Sequence, residues 1–261
     1  MAYETLIIER SEAVATLTFN RPAALNAMNA AMLGELDQAI DELASDETVR
    51  SIIVTGSGTR AFIAGADIRE LRAVESPLAG EAFARAGHRV LSKLRDMDKP
   101  TIAAINGFAL GGGCEVALSC DVRIAAENTR IGLPEIRLGI IPGWGGTQLL
   151  PRLLGSGRAA LLILTGDPVD AAEAYRVGLV DRVVPADKLP AEAQQLAAAL
   201  AERPPLSVRA AKRAMRFAHE GPLSAGRDLE IALFGGLFST EDRIEGTSAF
   251  LEKRTPVFKG R

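Results

Sequence analysis

The chain has 261 residues, 48% of them hydrophobic, enough for one large α/β domain or for a domain plus a short helical appendage. Its 30 basic and 33 acidic side chains leave a formal charge of -3, which is no electrostatic footprint for DNA or RNA, so any anionic ligand has to be held by local groups. Two cysteines, Cys114 and Cys120, two distant histidines, His88 and His219, and an opening MAYETLIIER without a leader pattern argue against a disulfide framework, a metal site and secretion; the expected compartment is reducing and cytoplasmic.

In chain order, Thr5 to Glu9 and Val14 to Phe19 read as strands, followed by the Asn20-Arg21-Pro22 break. Asn29 is placed to cap a helix running to about Ala44, with Met32, Leu36, Ile40 and Leu43 on one stripe, and Ser51 to Thr55 reads as a buried strand. A second unit is predicted from the helix Glu81 to Met97 through Lys99-Pro100 into the strand Thr101 to Ile105. Strands alternating with helices imply an α/β architecture. The apolar run Ile102 to Leu118 is no membrane span, because it holds Asn106, Glu115 and four glycines. Beyond Pro134 the strand signals thin out, leaving Val180 to Val184, and the alanine-rich run Ala197 to Ala201 reads as a good helix former. The shift at Pro204-Pro205 suggests a core over 1–205 and a helical region over 206–261 whose apolar residues need a partner surface.

Three places can carry chemistry. The first is Ala61-Phe62-Ile63-Ala64-Gly65-Ala66-Asp67-Ile68, where small residues let a ligand approach backbone N–H groups; it also reads as an ordinary strand-to-helix loop with Asp67 as N-cap. The second is Asn106 to Glu115. Here Gly111-Gly112-Gly113 at a helix start exposes unpaired N–H groups at the positive end of the helix dipole, a seat for an oxyanion. Glu115, among apolar neighbours, has to be paired, neutral or functional, or else helps to cap the helix. No Gly-Lys-Ser/Thr follows, so this is not a nucleotide loop. The third runs from Leu133-Pro134-Glu135-Ile136 to Gly143-Trp144-Gly145-Gly146-Thr147, a second lone glutamate that also fits a plain helix start, with Trp144 as pocket wall or core. The spacing Gly155-x-Gly157-x-x-Ala160 lacks the preceding strand of a dinucleotide fingerprint. Arg209, Lys212, Arg213 and Arg216 form a basic helical stripe, readable as a solvated face, a phosphate contact or a subunit interface.

Taken together, Arg21-Pro22 to Leu25-Asn26-Ala27, Ala64-Gly65-Ala66-Asp67-Ile68, Lys99-Pro100 to Ile105-Asn106-Gly107, the glycine run with Glu115, Cys120-Asp121, Pro134-Glu135, Leu138-Gly139 to Thr147-Gln148, and Glu241-Asp242 to Lys253-Arg254 make the chain resemble the crotonase (enoyl-CoA hydratase/isomerase) superfamily over nearly its whole length. The resemblance implies an α/β fold, a crotonase-type spiral of repeated ββα units with a C-terminal helical region, and a homo-oligomer, either a trimer or a dimer of trimers. It implies an enoyl-CoA hydratase that adds water across the 2,3 double bond of a 2-enoyl-CoA, with the CoA thioester as substrate and no further cofactor. By the same resemblance the N–H groups of Ala64 and Gly112 form the oxyanion hole, Glu115 deprotonates water, and Glu135 protonates Cα. Substrate contacts are expected from Ala66, Asp67, Ile68, Gly111, Pro134, Gly143 and Trp144, with Phe234, Phe250 and Lys253 closing over the CoA moiety, in part from a neighbouring subunit. Ala23 stands where the family often has a lysine, so a phosphate contact there falls to Arg69 or another base. The nearest rivals are other reactions on the same scaffold: double-bond isomerisation, thioester hydrolysis or decarboxylation. Isomerases of the superfamily often retain only the second carboxylate, which favours the hydratase. An RNA-binding relative is disfavoured by the acidic balance, and a glycosidase by an aromatic content of 5% with one tryptophan.

Overall fold

The computed structural model describes residues 3–261. Strands β1 (Leu6–Ser11) and β2 (Val14–Phe19) pair antiparallel. Asn29 then caps α1 (Ala30–Ser45), its side chain accepting from Met32 N at 3.0 Å, and Met32, Leu36, Ile40 and Leu43 form the buried stripe. The chain continues through β3 (Ser51–Gly56), β4 (Ala61–Ile63), α2 (Ile68–Arg72) and α3 (Pro77–Asp96). Next come β5 (Thr101–Ile105), β6 (Phe108–Leu110), α4 (Gly112–Leu118), β7 (Val122–Ala126) and β8 (Arg130–Gly132). A 3-10 turn at Pro134–Leu138 leads to α5 (Gly146–Leu154), α6 (Ser156–Thr165), β9 (Val169–Asp170), α7 (Ala171–Val177) and β10 (Arg182–Val184). Four helices finish the chain: α8 (Leu189–Ala201), α9 (Pro205–Phe217), α10 (Leu223–Leu237) and α11 (Glu241–Glu252).

Two sheets result, with strand orders β1-β2-β3-β5-β7-β10 and β4-β6-β8-β9. The chain deals one strand to each sheet in turn, β3 then β4, β5 then β6, β7 then β8, which is a spiral of ββα units. Parallel pairing through β2, β3, β5, β7 and β10 buries both faces, and β5 is accordingly buried at every residue. One face packs on α1, α3 and α4. The other takes Leu189, Ala193, Ala197 and Ala201 of α8 onto Val14, Ile53, Ile102, Ala104, Ile124 and Ala126, so the alanine run is a close-packing face as well as a helix former.

Several expectations change. Helix α3 starts at Pro77, capped by Ser76, four residues before the expected Glu81. Ala61–Ile63 is a strand and not a loop, and β6, β7, β8 and β9 add to the expected strands. The basic stripe of α9 is not a solvated face throughout. Lys212 is buried and donates to Asp121 Oδ2 at 2.6 Å and Lys99 O at 2.7 Å, while Arg216 pairs with Asp96 and Arg209 with Asp98. These contacts pin α9 to the core. Gly155 joins two helices, which is no place for a dinucleotide turn. Helix α10 buries none of its residues. Among the described residues no helix is long and apolar enough to cross a membrane.

Candidate active site

The site grows from the turn where β6 ends and α4 begins. Gly111 has φ +53°, a conformation that favours glycine, and its N–H donates to Gly132 O at 2.9 Å, tying the turn to β8. Gly113 allows α4 to lie on β4, since a Cβ there would overlap the Ile63 carbonyl. With Gly111 as N-cap and no capping side chain, the Gly112 N–H at the head of α4 finds no acceptor among the described residues. One helical turn on, Glu115 is 1% exposed, and its Oε1 accepts from Trp144 N and Gly146 N, both at 2.8 Å. Burial raises the Glu115 pKa, and the two amide donors work against that rise.

Glu135 arrives from the 3-10 turn after β8, where Pro134 opens the turn and Gly139, at φ +77°, closes it. Its carboxyl lies against the Gly111 backbone, so a Cβ on Gly111 would sit 2.8 Å from Oε1. The Oε2 atom is buried without a hydrogen-bond partner. Burial raises its pKa to about 7, with the negative charge of Glu115 adding to the rise. Both glutamates therefore meet the same glycine turn: Glu115 belongs to it, and Glu135 rests on it. The neighbouring Cys114 is fully buried, and burial pushes its thiol well above the usual range, which leaves it an inert packing group.

The segment after β4 forms the opposite wall. A Cβ on Gly65 would lie 3.5 Å from Leu110 O, which sets this turn beside the end of β6. Ala64 N donates to Leu25 O at 3.1 Å, so it is not the free oxyanion donor that the resemblance implied. The flanking amides are engaged by Met28, with Met28 N donating to Gly65 O and Asp67 N donating to Met28 O, both at 2.8 Å. Ala66 N, between them, has no acceptor among the described residues. Ala66 and Gly112 thus each present a backbone N–H without an acceptor among the described residues. Asp67 caps α2 by accepting from Arg69 N and pairs with Arg21 at 3.4 Å, and Ile68 is exposed.

Asn26 is the brace that sequence reasoning passed over. Fully buried and at φ +56°, it donates to Ala61 O at 2.8 Å and Ser57 O at 3.1 Å and accepts from Arg21 N at 2.9 Å. Its place in the Arg21-Pro22 to Asn26 motif was the available signal. Gly146, the second donor to Glu115, was also missed; its signal was the glycine pair after Trp144. Trp144 is 4% exposed and stacks on Phe83 with ring centroids 5.4 Å apart, so it packs as core. Gly143 leads into it half-buried. The residues expected to close over CoA are exposed in the single chain. Phe234 is exposed on α10 against Phe238, Phe250 is 84% exposed on α11, and Lys253 is the exposed C-cap of α11. Ala23 and Arg69 are exposed as well.

Two buried carboxyls that meet at one glycine turn, with unpaired backbone N–H groups nearby, suit acid/base chemistry on a carbonyl compound, here on a ββα spiral. The family model "Enoyl-CoA hydratase/isomerase" matches residues 9–261, and the chain belongs to that family. It is 47% identical to a probable enoyl-CoA hydratase of Mycobacterium tuberculosis over 261 residues, covering 100% of both chains. It is 45% identical over 258 residues to the crotonyl-CoA hydratase of Syntrophomonas wolfei, covering 99% of each. The crystal structure of an enoyl-CoA hydratase from Bacillus anthracis superposes with a TM-score of 0.95 at 40% identity, covering 99% of this chain and 100% of that one.

Proposed function

We propose that this chain is an enoyl-CoA hydratase that adds water across the 2,3 double bond of a 2-enoyl-CoA to give a 3-hydroxyacyl-CoA. The observation that carries the reading is the unequal environment of the two glutamates. Glu115 Oε1 accepts two N–H bonds that suit an anion, while Glu135 Oε2 has none and its pKa lies at about 7.

Glu115 takes a proton from water as the water oxygen bonds to Cβ. The π electrons move towards the thioester oxygen, where the N–H groups of Ala66 and Gly112 stabilise the developing charge, and Glu135 delivers its proton to Cα. One proton has left water and one has entered Cα, so the two carboxyls have exchanged states, and a proton transfer between them or through solvent restores the site.

The test is loss of the conjugated enoyl absorbance with crotonyl-CoA and a panel of longer thioesters. Glu115→Gln and Glu135→Gln are each expected to lower kcat by about 10²–10⁴-fold with unchanged circular dichroism. If both retain near-normal hydration, the assignment is wrong. Isomerisation, hydrolysis and decarboxylation each give a different product in the same assay. The exposed apolar residues of α10 and α11 support a homo-oligomer, a trimer or a dimer of trimers built through residues 206–261, in which Phe234, Phe250 and Lys253 close over the CoA of a neighbouring subunit. A cytoplasmic place in acyl-CoA metabolism, such as fatty acid metabolism, fits this reading, and fractionation of the native cell tests it.

A further inference from the structure

Trp144 links the site to a helix that carries none of the reacting groups. Its backbone N–H holds Glu115, and its ring runs from α4 to α3. A Cβ on Gly112 would fall 2.7 Å from Cζ3 of the indole, so the benzo edge rests on the backbone of the residue offered as oxyanion donor. At the other end, a Cβ on Gly87 of α3 would overlap Cδ1, Nε1 and Cε2. Phe83, one turn earlier on α3, stacks on the indole with the planes 28° apart. Gly87 is buried in the middle of α3, where alanine would favour the helix. The local preference is overridden by the ring that fills the space.

We propose that Gly87 is a positioning residue: its missing side chain makes the seat for the Trp144 indole, and through that indole α3 fixes both the Gly112 amide and the loop that grips Glu115. A close-packed interior passes a displacement on without absorbing it. A side chain at position 87 must push the ring towards Gly112 or lift the loop 143–146, and either movement spoils the alignment of a donor with its target. The kinetic consequence rests on the hydratase reading; the seat itself does not.

The experiment uses the fact that Trp144 is the only tryptophan, so intrinsic fluorescence reports the indole whatever the reaction. Gly87→Ala is expected to shift the emission to longer wavelength and to speed amide exchange in residues 143–146. It is expected to lower kcat for crotonyl-CoA by about 10- to 100-fold while KM changes less than about threefold. In a Trp144→Leu background, which removes the overlapping ring, the same substitution is expected to cost less than about a further twofold. Unchanged emission, or an equal loss in both backgrounds, overturns the proposal. If Gly87→Ala does not fold, Phe83→Leu loosens the same seat without overlap, and an unmoved emission and kcat then overturn it. A wild-type protein that hydrates no enoyl thioester defeats the reading of function instead, while emission and amide exchange still decide the seat.

Discussion

At Glu135 the proposed proton donor is also tied to stability. Burial raises its pKa from the ordinary 4.5 to about 7, so the folded chain holds this proton more tightly than the unfolded chain does. Folding takes up a proton across that window, and this group's contribution favours the fold below the unfolded pKa and is lost as pH rises to about 7. The stability difference between Glu135→Gln and wild type is therefore expected to move by about 1–3 kcal/mol in favour of the variant between about pH 4 and about pH 8. Urea melts at the two pH values measure it, and a pH-independent difference would show that the carboxyl is not held neutral by burial. The same titration acts on turnover: as a proton donor to Cα, Glu135 loses its competent form above its pKa, so kcat for hydration is expected to fall as pH rises through about 7. The neighbouring Gly111 guards this arrangement. Gly111→Ala would bring a Cβ to 2.8 Å from Glu135 Oε1 at φ +53°, and it is expected to lower kcat by about 10²-fold, read in the same assay.

Asn26 acts at the scale of elements, because its side chain fastens the turn before α1 to β4 and to the turn after β3. Asn26→Ala leaves the Ala61 and Ser57 carbonyls and the Arg21 N–H unpartnered and puts a residue with no stabilising side chain at φ +56°. A loss of about 2–4 kcal/mol in chemical denaturation is expected, together with a lower kcat, since the Ala66 donor hangs on the same segment through Met28. A drop in stability with full turnover would separate the brace from the donor. What the sequence discloses follows the same division. Helix α1 and strand β5 are legible because a cap, a stripe of Met32 and Leu36, and an unbroken apolar run are all local signals. Strands β4, β6, β8 and β9 are too short to display alternation, and each exists only by pairing with a segment far along the chain. Likewise, the two glutamates stand out as acids in apolar company. The proposed choice of Ala66 over Ala64 as donor rests on the Leu25 carbonyl, and the buried place of Lys212 on Asp121, neither of which any local pattern reveals.

For the whole molecule, the proposed homo-oligomer has a physical motive in the surface of the lone chain. Leu223, Ile231 and Phe234 of α10 and Phe250 and Leu251 of α11 are all at least 64% exposed, an apolar surface of the kind that soluble proteins cover. Meanwhile the Phe234, Phe250 and Lys253 side chains make no hydrogen bond or ring contact with the carboxylate site among the described residues. Both observations are accounted for if a second copy covers α10 and brings its own closing residues to the CoA. Ile231→Asp places a charge in the middle of that surface without disturbing a buried contact, and it is expected to lower the assembly mass in sedimentation while circular dichroism is unchanged. Because the proposed acid/base pair and its proposed N–H donors lie within one chain, the dissociated species is expected to lose substrate affinity more than chemistry, with KM for crotonyl-CoA rising about tenfold or more and kcat falling less. A protein that sediments as one chain before and after the substitution, with the same KM, shows that this face has another occupant and that CoA is closed over from within.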